Sequence, residues 1–141
     1  MDEPTLYLQE AIDSGTVTRA EILHEDGSLV ASVGQPLTTA RERRLLAGLF
    51  NAPADAITTG IAVGGLVYTA AEADRRLLHG RHGNTGVVAA KNPPYITVGL
   101  YSEGHRPADA VLTLGNLADL LAGRPPRPDL PRTATPDGPQ P

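Results

Sequence analysis

The chain has no cysteine and no tryptophan, a single phenylalanine, and one lysine, Lys91, among its 12 basic residues. Without cysteine there is no disulfide, no thiol chemistry and no thiolate-held zinc or iron–sulfur centre. No run of about 18 apolar residues is present, so no membrane-spanning helix is expected. The first residues, MDEPTLYLQE, carry neither the basic nor the apolar part of a secretory signal, and a cytoplasmic protein is the expectation. A formal net charge of -4 leaves little positive charge to neutralise phosphates, which argues against nucleic acid as a partner.

With 141 residues, 40% of them hydrophobic, the chain can bury one core and is too short for two ordinary domains. Its wealth of Ala, Gly, Arg and Pro suits a GC-rich, prokaryotic genome. After Gly123 the chain reads RPPRPDLPRTATPDGPQP, with seven of the 13 prolines, and such a segment cannot build a core. The expected organisation is a folded domain over residues 1–123 and a disordered proline-rich tail over residues 124–141.

Within the domain, Leu8 and Ile12 are four apart in TLYLQEAIDSG, which predicts a short amphipathic helix ending near Gly15. Two strand-like runs flank Asp26-Gly27, a hairpin signal. Thr38 or Thr39 can cap a second helix whose apolar stripe is Leu45, Leu46, Leu49 and Phe50. From Gly60 the apolar period falls to two through GIAVGGLVYTAA, RRLLHG, TGVVAAK and YITVGLY, which predicts further strands. A last helix opens at Pro107, aligns Val111, Leu114, Leu117, Ala118 and Leu121 on one face, and stops at Gly123.

The stretch LHGRHGNTGVVAAK, Leu78 to Lys91, spaces Gly80, Gly83 and Gly86 three apart, in the manner of a phosphate-binding loop. Such a loop opens a helix, whereas Val87, Val88, Ala89 and Ala90 favour a strand, and no Gly-Lys-Ser/Thr ending follows. The glycines read instead as a turn between strands. His79 and His82 lack a third metal ligand nearby and read as exposed histidines, Glu25 and Asp26 fall in a turn, and neither a catalytic set nor a cofactor is expected.

That stretch, with GIAVGGLVY (Gly60–Tyr68), PYITVGLYSE (Pro94–Glu103), PADAVLTLGNLADLL (Pro107–Leu121), HEDGSLVAS (His24–Ser32) and FNAPADAITTGI (Phe50–Ile61), resembles the profilins, actin-monomer-binding proteins that are not enzymes. The resemblance implies an α+β fold with a central antiparallel sheet of six or seven strands. The N- and C-terminal helices would share one face and the Thr39–Phe50 helix would cover the other. By position it implies an actin-binding face of Phe50, Ala54, Ala70, Glu72, Arg81, His82, Val88, Ala90, Ala108, Val111 and Gly115. Glu72 stands where several profilins carry a base, and Gly115 where they carry an acid.

A second surface, a polyproline groove between the terminal helices, would comprise Pro4, Tyr7, Val30 and Leu120. Only Tyr7 is aromatic, so weak or no polyproline binding is expected. Arg41–Arg44 and Arg75–Arg76 allow a weak phosphoinositide contact. The implied function is binding a monomer of actin or an actin-like protein, as a monomeric regulator of filament assembly. The other open reading is a roadblock- or longin-like scaffold that dimerises or regulates small GTPases.

Overall fold

The computed structural model describes residues 2–123. The proline-rich segment from residue 124 onward lies outside them. The elements run α1 (Glu3–Asp13), β1 (Arg19–His24), β2 (Leu29–Ser32), α2 (Ala40–Asn51), α3 (Pro53–Thr59), β3 (Ile61–Val63), β4 (Leu66–Ala73), β5 (Leu77–His82), β6 (Thr85–Asn92), β7 (Tyr95–Tyr101) and α4 (Pro107–Leu121). Local chemistry sets their ends. Asp2 caps α1 by accepting from the Thr5 amide, and Thr39 and Glu42 form a reciprocal capping box on α2. Asp26 accepts from the amide and hydroxyl of Ser28 in the β1–β2 turn, where Gly27 takes φ 96°.

The strands form one antiparallel sheet in the order β2-β1-β7-β6-β5-β4-β3. Alternation along each strand sends successive residues to opposite faces. Leu23, Leu78, Val87, Ala89, Ile96 and Val98 pack towards α2 and α3, around Leu46 and Phe50. Ile22, Val88, Ala90 and Tyr101 pack towards α1 and α4, around Leu8, Leu114 and Leu117. The terminal helices therefore share one face and α2 covers the other, as expected. Each large side chain buried this way contributes about 1.5–3 kcal/mol.

GIAVGGLVYTAA is a pair of strands, because Gly64 and Gly65 take φ 64° and 83° and donate their amides to the Glu42 carboxylate, closing a two-residue turn. Two local features differ from expectation. The passage after Phe50 forms a separate helix, α3, opened by Pro53 at its first turn. In the glycine run only Gly83 turns the chain, at φ 63°. Gly80 and Gly86 are strand residues kept bare by close neighbours: a Cβ on Gly80 would lie 2.7 Å from Tyr68 Cβ, and one on Gly86 only 2.2 Å from Tyr101 Cζ.

Two buried polar groups hold the α2 side together. Glu21, on β1 and fully buried, accepts from the Leu37 amide and, at 2.6 Å, from the Thr38 hydroxyl. Arg43 donates to the Thr38 carbonyl at 2.7 Å. On the α4 side, Thr97 Oγ1 donates to the Leu114 carbonyl at 2.7 Å and ties helix to sheet.

Candidate functional site

Beyond the edge of α4, the sheet face formed by β4 and β5 is left open as a shelf. A bulge shapes it. Ala70 pairs with Gly80 and Glu72 with His79, so one extra β4 residue falls between them. Two residues two apart would ordinarily share a face. The bulge instead leaves Ala70 on the α2 side and turns Glu72 to the α4 side. There Glu72 and His79 meet Pro107, Ala108, Val111 and Leu112 from the start of α4, around a cavity of about 330 Å³.

His79 is half-buried rather than exposed. Its Nε2 lies 2.7 Å from Tyr101 Oη, and the Tyr101 ring occupies the space that Gly86 leaves. Burial pushes the His79 pKa below the usual imidazole range, Arg81 adds to the shift and Glu72 opposes it. Burial likewise raises the Tyr101 phenol, against a smaller opposing effect of Arg81. The imidazole is thus held neutral beside an exposed carboxylate.

The eleven residues expected on one binding face do not form one. Glu72, Arg81, Ala108 and Val111 come together on the α4 side, Arg81 following His79 by strand alternation. His82, the next residue, points the other way and meets Tyr68 edge-on at 6.1 Å, on the side where Ala70 also packs. Ala54 is exposed on α3, at that same side. Phe50, Val88, Ala90 and Gly115 are buried, so they support the surface from beneath and do not reach a partner. Phe50 turns inward with the Lys91 ammonium 5.9 Å from its ring centre, and Val88 and Ala90 lie beneath α4. Position along a strand was readable; depth beneath a helix was not. His79, Pro107 and Leu112 were missed, and the alternation placing His79 between inward Leu78 and inward Gly80 was the available signal.

Between α1 and α4 runs a shallower groove of about 230 Å³, lined by Tyr7, Ala11, Leu117 and Leu120 with Glu10 and Asn116. Of the four residues assigned to a groove here, Tyr7 and Leu120 line it. Pro4 sits in the first turn of α1 and Val30 packs against the core, and neither lines the groove. A hydrogen bond with Glu3 raises the Tyr7 phenol, which burial and the Glu3 and Glu10 charges reinforce. The arginine groups are partly committed, since Arg43 is bonded to Thr38. A larger cavity of about 440 Å³ lies on the opposite side, between Leu45 and Leu49 of α2 and Ala62 of β3.

Among the described residues no helix is long and apolar enough to cross a membrane, and no group of three His, Asp or Glu is placed to hold a metal ion. The family model of profilin matches residues 5–125. Profilin-P of Physarum polycephalum is 33% identical over 121 residues, covering 86% of this chain and 96% of that protein. Profilin-1B of Acanthamoeba castellanii is 37% identical over 114 residues, covering 80% and 90%. The crystal structure of profilin II from the same amoeba superimposes with a TM-score of 0.81 at 28% identity, over 86% of this chain and 98% of that one.

Proposed function

The chain belongs to the profilin family, whose members bind actin monomers and are not enzymes, and from that premise we propose that it binds the monomer of an actin-family filament protein through the shelf beside α4. One observation carries the placement: the bulge in β4 brings Glu72 to the same open face as Arg81, Ala108 and Val111. That gathering sets an apolar centre among charged side chains, the anatomy of a protein-binding surface.

The partner is a filament protein matched to this chain's own charges. Glu72 reverses the charge several profilins carry there, and a like-charge contact at close quarters costs several kcal/mol. Gly115 no longer contributes to that argument, because it is buried. The groove at Tyr7 and Leu120 has lost the ring area that packs on prolines, so polyproline binding is weak. A phosphoinositide contact through Arg41, Arg44, Arg75 and Arg76 is at most secondary, and a cytoplasmic location goes with this reading.

The test is a pull-down from the source cell on immobilised protein, followed by assembly kinetics of any actin-like monomer retained. Retention that Val111→Glu abolishes supports the reading. Nanomolar binding to muscle-type actin would overturn the charge argument. A dimer in solution, where a monomer is expected, would favour a scaffold module instead.

A further inference from the structure

The cavity on the shelf has the features of a receptor for one kind of side chain. Its walls are the apolar groups of Pro107, Ala108, Val111 and Leu112, and Glu72 stands at its rim. Glu72 makes no ion pair among the described residues, whereas Arg106, outside the cavity, approaches Asp109 at 3.9 Å. An apolar trough ending on an unpaired carboxylate complements an alkyl stem that ends in a cation. We propose that this cavity takes a lysine or arginine side chain of the partner, its charge against Glu72, and that protonation of His79 closes the cavity to it. The proposal rests on the reading that the shelf is the docking face.

The charges around His79 fix the direction of the pH effect. Glu72 faces it from β4, Arg81 lies two residues along β5, and Tyr101 reaches it from β7. β6 presents Val88, its register partner, and α4 presents uncharged groups only. With His79 neutral, Glu72 is the charge at the rim and Arg81 the opposing charge outside the lining. Once His79 takes a proton, two cations flank one carboxylate and an incoming cation is repelled. Burial and Arg81 both disfavour the imidazolium, so the cavity stays open through neutral pH and closes on the acid side of the usual histidine range.

The experiment titrates the full chain with n-butylguanidinium and follows the Val111 and Leu112 methyls and the His79 ring by NMR. Shifts confined to these groups are expected, with none from n-butylurea, which has a similar shape and no charge. Glu72→Gln should weaken binding about three- to fivefold and Arg81→Gln should strengthen it about twofold, the scale of an exposed ion pair. Acidification should weaken binding in step with the His79 titration, and His79→Gln should remove that dependence. Equal shifts from n-butylurea, or indifference to Glu72→Gln, would sink the proposal. If the probe behaves as expected but no actin-like monomer is retained, the docking reading fails and the cavity's cation preference stands. If a monomer binds with equal affinity to wild type and Glu72→Gln, the side-chain assignment fails alone.

Discussion

The two faces of the sheet are held by different means. On the α2 side, carboxylates reach across to backbone amides: Glu21 to Leu37, and Glu42 to Thr39, Gly64 and Gly65. On the α4 side two side chains, Thr97 to the Leu114 carbonyl and Asn92 to Asp119, bond sheet to helix, and the rest of the seat is set by shape. A Cβ on Gly99 would stand 2.8 Å from Leu114 Cδ1, and one on Gly86 would strike the Tyr101 ring. A carboxylate at the end of a flexible side chain can follow small movements of its amides. A bare glycine site cannot give way, so the shelf inherits its geometry from positions that tolerate no side chain.

The sharpest way to break that contrast is Gly86→Val. It forces the buried Tyr101 ring out of place and should cost about 3 kcal/mol or more, read from urea unfolding, and the His79 ring resonance should move with it. A cost under about 1 kcal/mol would mean that shape does not hold this face. Next comes Glu21→Ala, which strands two buried donors and should cost about 2–4 kcal/mol in thermal unfolding. Binding on the shelf should be unchanged by it at temperatures where the variant is folded.

Glu42→Ala removes half of the capping box and both turn contacts, an expected loss of about 1–2 kcal/mol. Partial burial pulls the Glu42 carboxyl upward, but its bonds from the Gly65, Thr39 and Gly64 amides outweigh that and hold it below the usual glutamate value. The folded state therefore gains from Glu42 above the unfolded value of about 4.5, and loses that gain as pH falls through the lower folded value. Glu42→Gln should flatten this acid limb.

The smallest effect belongs to His79, whose folded value lies below that of the unfolded chain. As pH drops below about 6.5 the unfolded chain takes up a proton that the fold withholds, so stability declines until the folded value is passed. A pH series on His79→Gln should lack this shallow limb and keep the one due to Glu42.

Much of this arrangement is legible in the residues. Asp26-Gly27, the Thr39 cap and the Val111, Leu114, Leu117 stripe each work through neighbours close in sequence, and all three announced their elements. The pairing of the terminal helices on one face was read from the profilin resemblance and the order of the elements. Three features depended on distant partners and stayed hidden. The β4 bulge exists only in register with β5, so Ala70 and Glu72 looked as though they shared a face. Nothing in the sequence marks Glu21 as buried, because its donors, the Leu37 amide and the Thr38 hydroxyl, lie across a loop. Gly80 and Gly86 read as turn formers, although what keeps them bare is Tyr68 and Tyr101. Of the residues expected on one face, Glu72, Arg81, Ala108 and Val111 do lie together on the α4 side, while Phe50, Val88, Ala90 and Gly115 are buried beneath the surface.

The strand order also sets a timetable for folding. β3 to β7 form a meander in which each strand pairs with its predecessor, so that part can zip as it is made. β1 lies beside β7, and pairs such as His24 with Tyr95 join residues from opposite ends of the domain. The β1–β2 hairpin must wait, one edge unpaired, until the last strand arrives, and closing so long a loop costs chain entropy before any contact repays it. Folding should accordingly show an early phase confined to the meander, with amide protection appearing last along the β1–β7 seam. The joint that completes the sheet is then also the one whose formation sets the rate.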